Sequence, residues 1–212
     1  MTTVLLLVSM SWAVIGSCYS LAGPRVVVIS LAKSGTTSLA TYFACGGLYT
    51  SHWKCGHSLC GACLQRNLAR GQSLFSDCGS YDVLAQIDQY DRATCAWPDE
   101  RLFDAMRAYR QMSVILSYRD PGEWANSVLR WNNLTQRMSD CGFVPRPTLD
   151  ALARAYIAYN NAAVNYWVYR HRWPRFTLLR IDSNDTGELL EQTFDIPARC
   201  WGRYNVNRRN KP

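Results

Sequence analysis

Lys33-Ser-Gly-Thr-Thr-Ser38 places one cation, one glycine and a set of hydroxyls in consecutive positions. The lysine supplies a full positive charge, Gly35 allows a tight turn, and Ser34, Thr36, Thr37 and Ser38 are hydroxyl donors. Where such a turn opens a helix, the free amides of the first turn point at the same anion and the helix dipole favours it. Further along, Arg119 and Ser127 stand eight residues apart. An arginine holds a phosphate through two parallel hydrogen bonds, and a serine on the following helix reaches the same group.

The elements that must position these residues are legible from pattern. Val26-Val-Val-Ile29 reads as a buried parallel strand entering the Lys33 turn, and Leu39–Phe43 as the first helix. Tyr81–Asp88 reads as a second strand ending in an acid. Asp99–Tyr109 follows Pro98 as a helix with early acids and one apolar face. Ser113–Tyr118 is a third buried strand, and the chain then turns at Arg119 into a helix with Pro121 near its start. Pro147-Thr148 opens a long helix whose Leu149, Leu152, Tyr156, Tyr159, Ala163 and Tyr166 step by three and four, a stripe expected to face the core. Trp173-Pro174 ends it, Phe176–Ile181 is a fourth strand, and Glu188–Phe194 a short helix. Strand and helix alternate, which argues an α/β fold with a mainly parallel sheet flanked by helices. Ligands of such sheets sit beyond the carboxyl ends of the strands, where Lys33, Asp88 and Arg119 all fall.

The phosphate loop is not of the ATP type. That loop needs a glycine four residues before a Gly-Lys pair, whereas here the lysine precedes the only glycine and position 30 is Ser. A kinase or nucleotide hydrolase would also need an acid at the end of the third strand to hold magnesium, and Tyr118-Arg119 stands there. The net charge of +7 suits anionic ligands without choosing among them. Much of the surplus lies in the tail, at Arg199, Arg203, Arg208, Arg209 and Lys211.

Residues 1–23 carry no charged side chain, and Val4–Ile15 is an apolar run of signal-peptide length followed by small residues. A cleaved signal is expected; a type II anchor and an extra core segment are the alternatives. Residues 24–212 then form one domain. Beyond Cys18 there are eight cysteines, an even set that reads as disulfides in a secretory chain, with pairing not deducible. Residues 44–80, rich in Gly, Cys and His, read as a long cross-linked loop with a short helix near Leu64–Arg70. Cys55, Cys60 and Cys63 with His52 and His57 admit a zinc site, and Cys60-Gly-Ala-Cys63 a redox pair, as lesser alternatives. Asn133-Leu-Thr135 and Asn184-Asp-Thr186 are sequons for the same compartment.

Lys33-Ser-Gly-Thr-Thr-Ser38 followed by Tyr118-Arg-Asp-Pro…Ser127, in this order and on these elements, resembles the sulfotransferases that use 3′-phosphoadenosine 5′-phosphosulfate (PAPS). The run from Val114 through Trp124 to Ser127 is similar to the sulfotransferase-like P-loop proteins of protists and fungi, and the resemblance spans roughly residues 25–205. It implies a three-layer sandwich, P-loop NTPase-like, carrying a disulfide-rich loop insertion. It implies sulfuryl transfer to a hydroxyl or amine of a glycan, lipid or small molecule. The loop Lys33–Ser38 would bind the 5′-phosphate, with Lys33 catalytic, and Arg119 and Ser127 the 3′-phosphate. The partners implied are PAPS, adenosine 3′,5′-bisphosphate and the acceptor, with no nucleic acid and no metal required. Family members place the base near the second strand, where Asp88 stands, with His52 as second choice; helix capping or a pair with Arg92 is the alternative for Asp88. The family's glycine-rich closing segment is not recognisable, leaving Arg203, Arg208 or Arg209 to stand in. The expected location is the Golgi lumen, on a type II anchor, or outside the cell. A P-loop kinase or hydrolase, and an inactive secreted protein binding sulfated glycans, are the competing readings.

Overall fold

The computed structural model describes residues 23–91 and 94–202. The chain enters through β1, Val26–Val28, turns, and forms α1, Thr36–Cys45. β2, Thr50–Ser51, precedes a hairpin of β3, Lys54–Cys55, and β4, Ser58–Leu59, which runs into α2, Cys60–Ala69. β5, Val83–Leu84, is followed by a second hairpin of β6, Gln89–Tyr90, and β7, Cys95–Ala96, and then α3, Glu100–Met106. β8, Ser113–Tyr118, leads to α4, Pro121–Leu129, α5, Leu134–Asp140, and α6, Leu149–Val164. A wider π-helical stretch, Asn165–Arg170, extends α6 before β9, Phe176–Arg180, α7, Thr186–Phe194, and a last 3-10 turn, Ala198–Cys200.

The central sheet has five strands in the order β2-β5-β1-β8-β9, and every pairing in it is parallel. Alternate strand residues face opposite layers. Val27, Leu84, Val114 and Leu116 pack with α2, α3 and Tyr166 and Trp167 beyond α6. Val26, Val28, Val83 and Ile115 pack on the other side with Leu39, Tyr42 and Phe43 of α1 and Leu190 of α7. This is the three-layer α/β arrangement expected. β1 lies between β5 and β8, so the chain departs to one side for β2 and β5 and to the other for β8 and β9. The resulting crevice at the carboxyl end of β1 is where ligands of open parallel sheets bind. A third cluster roofs that end: Leu31 meets Trp124 and Val128 of α4, Leu134 and Met138 of α5, and Leu152 and Tyr156 of α6.

Several local expectations change. The second strand is confined to Val83–Leu84, because its neighbours offer only two and three residues to pair with. The stretch expected as a long loop contains the edge strand β2 and a hairpin, and its helix begins at Cys60. α5 has no counterpart in the sequence reading. The α6 stripe is buried at Leu152, Tyr156, Ala163 and Tyr166, whereas Leu149, in the first turn, is 41% exposed.

The eight cysteines from Cys45 onward form four disulfides: Cys45–Cys200, Cys55–Cys60, Cys63–Cys78 and Cys95–Cys141. Cys60 and Cys63 each pair elsewhere, so the Cys-Gly-Ala-Cys redox pair does not form, and the thiolates that a zinc site would need are consumed. The N-terminal apolar run, Arg92 and the tail arginines Arg203, Arg208 and Arg209 lie outside the described residues. Among the described residues no helix is long and apolar enough to cross a membrane.

Candidate functional site

The turn between β1 and α1 uses two left-handed residues. Lys33 has φ 73° and Gly35 φ 85°. A Cβ at Gly35 would stand 2.8 Å from the Ile181 side chain, so glycine is required there by both conformation and space. Gly35 caps α1, so the helix start carries no side-chain cap. Lys33, Gly35, Thr36, Thr37 and Ser38 all line the cleft. Ser34 does not. It is fully buried, its hydroxyl lies 3.0 Å from the Tyr156 hydroxyl, and its amide donates to the Leu31 carbonyl.

Arg119 and Ser127 reach the same cleft from the end of β8 and from α4. α4 starts where Asp120 accepts the Glu123 amide at 2.9 Å and Pro121 takes the first helical position. Trp124 turns back to donate its indole N–H to the Ala32 carbonyl at 2.9 Å and stacks on Tyr156 with centroids 4.4 Å apart. Beneath the turn three buried serines join the exits of β1 and β8. The Ser117 amide donates to Ser30 Oγ at 2.6 Å, and the Ser117 hydroxyl donates to the Ser34 carbonyl at 2.7 Å. Arg119 also meets Glu123, with Nη2 to Oε2 at 3.6 Å, while its buried Nε has no partner.

Asp88 is buried beside the turn. Its Oδ2 accepts the Ala32 amide at 2.6 Å and its Oδ1 has no partner. Burial pushes this carboxyl up to about 7, against the pull of the Ala32 amide, the Gln86 side chain and Tyr90. It caps no helix. His52 follows β2, half-buried, with Nε2 3.1 Å from the Thr36 hydroxyl and 3.4 Å from that of Thr37. Burial lowers the imidazole and Gln86 opposes it. Thr36 in turn donates to Gln86 Oε1 at 3.1 Å, so Gln86 joins the helix start to the segment carrying Asp88.

One open cleft of about 1730 Å³ holds Lys33, His52, Asp88, Arg119 and Ser127 together. Burial, and secondly the charge of Arg119, bring the Lys33 ammonium down to about 8, so the two cations act on one another across the cleft. Lys33 Nζ lies 3.4 Å from the centre of the Trp131 indole, on the connection between α4 and α5. Sequence reasoning missed Gln86, Trp131 and the polar role of Tyr156. A polar residue two positions before Asp88 was the available hint for Gln86. Nothing in the local pattern marks Trp131 or Tyr156, because their partners lie far along the chain.

The cleft therefore offers cations from two turns, a helix start without a side-chain cap, and a nearly buried carboxylate in its wall. That set suits a ligand with phosphates at both ends and a proton to be removed nearby. No curated protein matches the chain. A family model described as a sulfotransferase domain matches residues 25–177, from β1 into β9 and across all of these residues. The chain belongs to this sulfotransferase family.

Proposed function

We propose that the protein moves a sulfuryl group from PAPS to a hydroxyl or amine acceptor. The observation that supports this most directly is that Lys33 and Arg119 open onto one cleft and feel each other's charge. The amides at the start of α1, that of Thr36 among them, with the hydroxyls of Thr37 and Ser38, hold the 5′-phosphate. Arg119 and Ser127 hold the 3′-phosphate. The acceptor oxygen attacks sulfur in line; the new S–O bond forms as the bond from sulfur to the 5′-phosphate oxygen breaks, and the electron pair leaves with adenosine 3′,5′-bisphosphate. Lys33 neutralises the charge growing on that oxygen, and the Asp88 carboxylate takes the acceptor proton. The Ala32 amide holds Oδ2 of Asp88, fixing the carboxylate next to the lysine turn.

The reading extends to the secretory pathway, as a lumenal Golgi enzyme or a secreted one. Support comes from the eight paired cysteines, which need an oxidising compartment, and from Asn133 and Asn184, which are both exposed. The test is calorimetric titration with adenosine 3′,5′-bisphosphate, together with labelled PAPS and a panel of acceptors. Binding that is lost in Lys33→Ala and Arg119→Ala, with both variants folded, is the expected result. Neither binding nor transfer by the wild-type chain overturns the reading.

A further inference from the structure

His52 has no part in the proton path just described, yet it is committed to the phosphate loop. Thr36 has a single hydroxyl proton and donates it to Gln86 Oε1 at 3.1 Å. Its oxygen is therefore the acceptor toward the ring 3.1 Å away, and Nε2 carries a hydrogen. The Thr37 hydroxyl lies 3.4 Å from the same nitrogen. The imidazole N–H thus points into the first turn of α1, the turn whose amides no side chain caps.

We propose that His52 is a ligand of the donor's 5′-phosphate end, entering the site neutral and taking up a proton as the anion binds. The inference rests on the donor assignment above. Among the described residues the ring forms no ion pair. α1 presents it with the hydroxyls of Thr36 and Thr37, and the segment after β5 with the amide of Gln86. Burial depresses it and the Gln86 side chain opposes. The cleft's other charged groups are the cations Lys33, Arg119, Arg130 and Arg137 and the acids Asp88, Asp91, Glu123 and Asp182, whereas the ring nitrogen lies against the hydroxyls of Thr36 and Thr37. A phosphate seated on the first turn of α1 is the counter-charge that favours imidazolium. A ring that charges only with its ligand also spares the empty site a further cation, where burial and then Arg119 already depress Lys33.

The test compares the full-length wild type with His52→Gln, whose amide retains a neutral donor, and with Asp88→Asn, since that carboxyl also titrates near neutrality. Each is titrated calorimetrically with adenosine 3′,5′-bisphosphate from about pH 6.5 to about pH 8, in buffers of differing ionisation enthalpy. The ligand's own ionisation is common to all titrations and cancels. The wild type is expected to take up more protons than His52→Gln near neutrality, by roughly half to one per ligand, and to gain affinity over it on acidification by at most about tenfold per pH unit. Asp88→Asn keeps the His52-dependent uptake. His52→Asn serves as a second variant should thermal unfolding show His52→Gln to be misfolded. Binding with the same pH dependence and proton uptake in wild type and variant overturns the role of His52 and leaves the donor assignment standing. No binding by wild type at any pH overturns the donor assignment, and this inference with it.

Discussion

The Tyr156 hydroxyl accepts the backbone amide of Arg119 at 3.1 Å. The same hydroxyl lies 3.0 Å from Ser34 Oγ, so one α6 side chain braces both cationic turns from behind. Tyr156→Phe keeps the stack on Trp124 but leaves a buried serine and an amide unpaired, a loss of about 1–3 kcal/mol of stability. It is expected to weaken bisphosphate binding about tenfold by loosening both turns together. Tyr159→Phe, which removes a bond to the Ile29 carbonyl further back, should lower stability while leaving affinity within about twofold. Denaturant unfolding and calorimetry on the two variants check this; equal losses of affinity would refute the bracing role.

Keeping the Asp88 carboxylate buried costs stability above neutrality. Its folded value, about 7, lies above the ordinary carboxylate value. Its contribution to stability is therefore full below that ordinary value and is lost as pH rises through about 7. Asp88→Asn should be more stable than wild type near pH 8 by roughly 2–4 kcal/mol, with the advantage shrinking toward about pH 4. Transfer should fall by about 10²–10⁴-fold. Thermal unfolding at the two pH values checks the first statement, and a pH-independent difference would contradict it.

With Asp88 as the proposed base and Lys33 at the proposed leaving oxygen, catalysis is expected within a narrow pH window. Asp88 accepts a proton only as carboxylate, so kcat/KM should rise with pH through about 7. Lys33 neutralises the leaving oxygen only as ammonium, so the same parameter should fall as pH rises through about 8. The expected profile is a bell whose limbs belong to the free protein. In Lys33→Arg the alkaline limb should vanish from whatever activity survives, because guanidinium stays charged. Rates flat from about pH 6 to about pH 9 would dismiss both assignments.

Glu123 competes for Arg119. The pair sits at 3.6 Å, with the Glu123 side chain 67% exposed and that of Arg119 25%. Such an exposed pair contributes at most about 1 kcal/mol, while its carboxylate lines the cleft where the 3′-phosphate is proposed to meet Arg119. Glu123→Gln is expected to tighten bisphosphate binding by about two- to fivefold at low salt, with the gain fading as salt is added. Calorimetry at two ionic strengths decides it; weaker binding would make Glu123 an orienting partner of the arginine instead.

What local chemistry dictates was readable in advance. The β-branched run before Lys33, the glycine behind it and the Pro121 helix start are short-range signals, and each formed where the residues called for it. Asp88 was legible by position as the acid beyond the second strand, although the strand itself shrank to Val83–Leu84. Its free Oδ1 was not legible, since that depends on the Ala32 amide 56 residues earlier in the chain.

Sequence alone determined the alternation of strand and helix, the two cationic turns and the even set of cysteines, because each arises within a few residues of chain. Tertiary structure alone decided that Ser34 faces inward to Tyr156, that Cys60 and Cys63 take separate partners, and that His52 lands on the hydroxyls of α1. Those outcomes follow from parallel pairing, which sets β2, β5, β1 and β8 side by side and gathers their carboxyl ends. Contacts between residues so distant in sequence are chosen by burial and hydrogen-bond satisfaction in the packed state, which leaves no local trace.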